Sequence, residues 1–108
     1  MGTPSNNETW LIDTGDSVIH KKMKVGLEGL TPLEQLIYCV WVADYGMRNA
    51  GDLETAQDLY PEFRDEASRL AESLSLSVTH QTFSLSTEEL TAKYFDRFEA
   101  MCEELKNA

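Results

Sequence analysis

The stretch TPLEQLIYCVWVADYGMR, residues 31–48, constrains the fold more than any other part of this 108-residue chain. Thr31 can accept a backbone N–H at a helix start, Pro32 suits the first helical position, and Glu34 can reach back to the cap. Leu33, Leu36, Ile37, Val40, Trp41 and Asp44 follow on one side, and Tyr38, Cys39 and Val42 widen the stripe. A helix apolar nearly all round has to be enclosed by other elements. The pattern therefore predicts a central helix over 32–48, with Gly46 as an interior weak point.

The remaining segments offer helical neighbours. Val18, Ile19, Met23 and Leu27 recur at intervals of three and four, which predicts a helix over 17–28. Residues 1–9 are polar and contain Pro4, so they read as a mobile arm ahead of a single helical domain over 10–108. Past the central helix, Asn49 and Gly51 provide the left-handed conformations that terminate helices. Asp52 can cap a short helix over 53–60. Pro61 opens another over 61–74, with acids in its first turn and Phe63, Ala67, Leu70, Ala71 and Leu74 on its core face.

Leu74, Leu76 and Val78 alternate with serine and break the helical period. Residues 75–85 accordingly read as a loop with one short extended segment. Ser86 and Glu89 then repeat the capping pattern, and Leu90, Tyr94, Phe98, Met101 and Leu105 form the stripe of a last helix over 87–106. The expected fold is all-α, a single-domain bundle of about five helices. Its expected core gathers Leu36, Val40, Trp41, Leu70, Phe98 and Met101.

Charge is the informative bulk property. Nineteen Asp and Glu oppose nine Lys and Arg, a formal net charge of −10. Residues 44–108 hold fourteen of those acids and six of the bases, net −8, and the other three bases cluster as Lys21, Lys22 and Lys24. Such a field repels nucleic acid and membrane surfaces and favours a basic protein partner. No apolar run reaches the roughly 18 residues of a membrane span, and the N-terminus lacks the basic start and apolar stretch of a secretory signal. The expected location is the cytoplasm, where Cys39 and Cys102, both inside apolar helical patterns, stay reduced and buried.

Catalytic and cofactor motifs do not emerge. His20 and His80 have no carboxylate or cysteine at a familiar ligand spacing, and the six glycines form no phosphate-binding loop. Asp52, Glu54 and Asp58 match the first, third and seventh positions of a calcium loop, but Gln57 and Phe63 stand where glycine and glutamate are needed. The sequence thus points to no catalytic residue, no metal and no cofactor. Several acids have helix-surface partners: Asp65 with Arg69, Glu89 with Lys93, and Glu103 with Lys106. Asp44, Asp52, Glu54, Asp58, Glu62 and Glu66 bracket the Asn49–Gly51 turn with little compensation, and they are the candidate partner-binding residues on one exposed acidic face.

The segment LTPLEQLIYCVWVADYGMRNAGDLETA resembles the central part of a bacterial helical family, the DNA-mimic-protein-like domain. Leu30, Glu34, Tyr38, Trp41, Asp44, Asn49 and Gly51 are the matching positions, and LTAKYFDRFEAMCEEL is similar to the family's closing helix. The similarity spans residues 27–105. Ala50 stands in place of the first of two paired glycines, and Asp52 or Leu53 where an aromatic is usual. The resemblance implies an all-helical acidic protein and, in one branch, a protein that imitates DNA to occupy a nucleic-acid-binding regulator. Two other functions are open to a chain of this charge: an immunity or antitoxin-like inhibitor of a basic toxin, and an enzyme whose site is assembled in space from distant residues.

Overall fold

The computed structural model describes residues 6–108. Its elements are α1 (Asn6–Val25), a single 3-10 turn (Leu27–Gly29), α2 (Pro32–Ala50), α3 (Glu54–Leu59), α4 (Phe63–Ser73), α5 (Ser77–Phe83) and α6 (Thr87–Lys106). The fold is an all-α single-domain bundle, with no strand among the described residues. α2 is the axis. It packs against α1, α3, α4 and α6, while α5 fills the space between α4 and α6.

The start of α2 follows from its own residues. Thr31 Oγ1 accepts from the Glu34 N–H at 3.1 Å, and Glu34 Oε1 accepts from the Thr31 N–H at 2.8 Å. Leu36, Val40, Val42 and Ala43 are wholly buried along the helix. Gly46 is a point of close approach: a Cβ there would lie 3.1 Å from the Asp52 carbonyl oxygen and 3.2 Å from the Ala56 nitrogen. Its absence lets the backbone of α3 pass directly over α2. Gly51 ends the helix at φ 74°, donating its N–H to the Met47 carbonyl at 3.0 Å.

Three sequence expectations are corrected. The first concerns the N-terminus. Residues 6–9, read as part of an arm, form the first turns of α1, while residues 1–5 lie outside those described. The buried stripe of α1 is Asn7, Leu11, Gly15 and Val18, so half of it is polar or lacks a side chain and leaves no apolar periodicity to read. Its end is at Val25, ahead of Gly26 at φ 77°.

The second concerns residues 75–85, which form α5 instead of a loop with an extended segment. Thr79 and Thr82 occupy core positions beside Leu76 and Phe83, so threonines stand where apolar residues would have announced the helix. The first turn of α5 has no cap of its own. Glu104 of α6 provides it: its carboxylate accepts the Val78 and Thr79 N–H groups, each at 2.8 Å, and the Thr79 hydroxyl at 2.9 Å.

The third concerns Trp41. Leu36, Val40, Leu70, Phe98 and Met101 join the buried core as expected, but Trp41 is only half-buried and packs against it from the outside. The centre is filled by Tyr94, Phe63, Leu11, Leu90 and Leu105 instead.

Candidate functional site

The six candidate acids do not share one environment. Asp52, Glu54, Asp58 and Glu62 are exposed, and Glu66 is half-buried. Asp52 shapes its own loop, accepting the Glu54 N–H at 3.0 Å and so ordering the turn before α3. Asp52 and Glu54 line a cleft of about 330 Å³ with Leu53, Gln57, Thr87 and Thr91, which sets them beside the first turns of α6. Glu66 pairs with Arg69, which thereby engages Glu66 in place of the expected Asp65. The Glu103–Lys106 pair forms as expected, at 3.7 Å.

Asp44 is not part of an exposed face. Only 4 % of it is accessible, and it accepts the Tyr94 hydroxyl at 2.8 Å and the Arg48 Nε at 3.0 Å on both carboxylate oxygens. Arg48 also meets Glu8 at 3.5 Å, and its guanidinium lies 5.0 Å from the ring centre of Phe95 and 4.8 Å from that of Phe98. One ionic knot thus ties α1, α2 and α6 together. Burial raises the Asp44 carboxyl above its ordinary range, against the opposing hydrogen bond of Tyr94 and the charge of Arg48. Burial and the facing carboxylate push the Tyr94 phenol well up. Asp44 continues the stripe of Val40, Trp41 and Met47 at helix spacing, and that placement is the signal in the sequence that it faces inward.

Asn49 is also corrected. It remains helical within α2, its amide donating to the Tyr45 carbonyl at 2.8 Å, and the left-handed residue of the turn is Gly51. The opening of the acidic loop therefore depends on one glycine.

The basic residues are largely engaged inside the molecule. Lys21 meets Glu34 at 2.8 Å, Lys22 lies over the Tyr38 ring, and Lys106 lies over Trp10. Arg64 donates to the Leu85 carbonyl at 2.9 Å and to the Thr87 hydroxyl, fastening α4 to the start of α6. Asp13, Glu28, Asp65, Glu72, Glu88, Glu89 and Asp96 are exposed, with no ion pair among the described residues.

Nucleophilic and ligating groups are placed for structure. Cys39 and Cys102 are buried free thiols, and burial pushes both up to about 12, so neither is a thiolate near neutrality. His80 Nδ1 contacts the Ser68 carbonyl at 3.0 Å and the Ser68 hydroxyl at 3.3 Å, which joins α4 to α5. His20 is exposed and lies 3.7 Å from Asp16. No three His, Cys, Asp or Glu side chains among the described residues are grouped to hold a metal, and no helix there is long and apolar enough to cross a membrane. Glu104, Arg64 and Gly15 are the consequential residues that sequence reasoning missed, since each acts through a partner distant in the chain. In comparison with known proteins, no family model, curated protein or solved structure matches this chain.

Proposed function

We propose that this is a non-enzymatic cytoplasmic protein that binds a basic partner protein through carboxylates presented around the α2–α3 turn. The supporting observation is the asymmetry of charge use. Six of the nine bases are occupied by contacts inside the fold, while Asp52, Glu54, Asp58 and Glu62 face solvent. Exposed, unpaired carboxylates raise the encounter rate with a cationic surface and repel nucleic acid itself.

Imitation of DNA is the specific form of this reading that the family resemblance favours. The longest dimension of the molecule is 35 Å. B-DNA of that length carries roughly twenty charges, at one per 1.7 Å or so. The nineteen acids approach that number, the net charge of −10 is half of it, and Asp44 and Glu104 are engaged inside the fold. A nucleic-acid-binding regulator is thus the proposed kind of partner.

Capture from the source cell at low and high salt tests the proposal. Retention of a basic protein at low salt, its release at high salt, and its loss on replacing Asp52, Glu54, Asp58 and Glu62 by Asn or Gln are the expected results. Capture indifferent to both salt and the four substitutions would refute it.

A further inference from the structure

Three of the large apolar side chains left exposed gather at one place. Ile12 (47 %) and Tyr45 (43 %) line a pocket with Trp41, Asp44, Arg48 and Asn49, and Phe95 (47 %) lies beneath the Arg48 guanidinium at its edge. The place is a seam between α1 and α2, bordered by α6. Its aromatic wall is built, not incidental. Trp41 stacks on Tyr45 at 5.4 Å and on Tyr38 at 6.5 Å, and Tyr38 meets Tyr60 at 5.6 Å. Gly15 of α1 makes room for this arrangement, since a Cβ there would stand 2.3 Å from Trp41 Cδ1. Glycine in a helix interior costs about 1 kcal/mol relative to alanine, and here it lets the indole lie against the α1 backbone.

The rim is acidic. Asp13 follows Ile12 directly and Asp16 lies one turn beyond it on α1, where it also faces His20 at 3.7 Å, and Glu99 follows Phe95 by one turn of α6; all three are exposed. Asn7 binds Glu99, which brings the start of α1 against that turn. The cation at the centre, Arg48, is already held by Asp44 and Glu8. Aromatic walls with a fixed arginine are the usual anchors of protein interfaces. The pocket itself holds about 190 Å³, below the roughly 300 Å³ of a small-molecule site and suited to one bulky side chain.

We propose that this seam is the docking groove for a basic amphipathic helix of the partner protein. An apolar side chain of that helix enters the pocket between Ile12, Trp41 and Tyr45, and its lysines or arginines meet Asp13, Asp16 and Glu99. Helix-in-groove recognition is the mode suited to a surface made wholly of helices. The inference rests on the reading of the protein as an acidic binder and assigns the apolar half of that recognition.

Calorimetric titration with a synthetic amphipathic Lys/Leu helical peptide tests it, with Glu/Leu and Lys/Ser peptides of the same spacing as controls. The Lys/Leu peptide should bind, and the two controls should bind at least roughly ten-fold more weakly. Ile12→Ser with Tyr45→Ser should weaken the Lys/Leu complex by a similar factor, on the order of ten-fold, with the variant still unfolding in one cooperative thermal transition, its midpoint lowered by loss of the Trp41–Tyr45 stack. Substitution of Asp52, Glu54, Asp58 and Glu62 should weaken it less than the groove pair does. Binding that survives the groove pair but not the four acid substitutions overturns the groove and leaves the acidic-binder reading standing. Absence of Lys/Leu binding overturns the groove, whereas cellular capture still decides the acidic reading separately. Sedimentation of the free chain covers the remaining occupant. The Lys21–Val25 segment is itself basic and exposes Met23 at 79 %. Self-association reversed by Met23→Ser and Lys24→Gln would make a second copy the occupant and overturn the proposal.

Discussion

The starts of α2 and α5 solve one physical problem in opposite ways. Each helix begins with backbone N–H groups that have no partner inside the helix. α2 satisfies them from within four residues of its own chain, through Thr31 and Glu34. α5 borrows a carboxylate from Glu104, twenty-five and twenty-six residues further along. The first solution exists as soon as the helix does. The second exists only after α6 has docked, so α5 depends on the assembled bundle while α2 helps to assemble it. This difference makes α2 the scaffold and α5 its dependent, although both lie against the core.

That contrast can be broken at several points. Leu36→Ala should be the most damaging, because it empties a wholly buried position on the axis helix; a loss of about 2–5 kcal/mol in chemical denaturation is expected. Such a loss should reach every helix at once. Glu104→Ala removes the acceptor of two N–H groups and one hydroxyl, and a cost of about 2–3 kcal/mol is expected. Hydrogen exchange should accelerate first at residues 77–83, and a uniform acceleration across the chain would contradict the borrowed cap.

Thr31→Ala is the matched test at α2. Its cap is exposed and the helix is held by packing beyond it, so about 1 kcal/mol is expected, with exchange faster only near residues 31–35. A Thr31 effect larger than that of Glu104 would reverse the comparison. Ser75→Gly should act with the opposite sign. Ser75 closes α4 in the left-handed region at φ 61°, with the Leu76 N–H on the Ala71 carbonyl at 2.9 Å and its own on Glu72 at 3.1 Å. Glycine relieves that conformation and should stabilise the fold by about 0.5–1 kcal/mol in thermal or chemical unfolding.

The smallest effect concerns acid. The Lys21 ammonium and the Thr31 N–H hold the Glu34 carboxyl below its ordinary pKa. A carboxylate lowered on folding binds fewer protons in the native state than in the unfolded one. Its stabilisation is therefore present above the ordinary carboxylate value and fades as pH falls through the lowered one. Glu34→Gln should flatten that part of the stability profile, and an unchanged acid slope in the variant would show that the capping box carries no such linkage.

How much of this was legible depended on where each residue finds its partner. Thr31, Pro32, Glu34 and Ser86 announced their helices, because a cap and its acceptor lie within one turn. The boundaries of α6 coincide with the expected 87–106, where five apolar residues recur without interruption. α5 is hidden because buried Thr79 and Thr82 look polar in sequence, and the first half of α1 because Asn7 is polar and Gly15 has no side chain. The candidate acids divided for the same reason. Asp52, Glu54, Asp58 and Glu62 face water, whereas the identical chemistry of Asp44 is turned inward by Tyr94 and Arg48.

The sequence by itself determined the helical class, the central place of α2 and the excess of negative charge, since capping, periodicity and composition are properties of neighbouring residues or of their sum. Only the tertiary structure decided which polar groups belong to the interior. Asn7, Asp44 and Thr79 became core residues because Glu99, Tyr94 and Glu104 of α6 met them with hydrogen bonds, and Thr82 because the Val78 carbonyl of its own helix accepts its hydroxyl. Trp41, the most core-like residue of α2 by composition, remained half outside: the α1 backbone at Gly15 covers one part of its ring, and the ring packs on the core from its edge. Burial is a property of the assembled surface, and no single helix carries it alone.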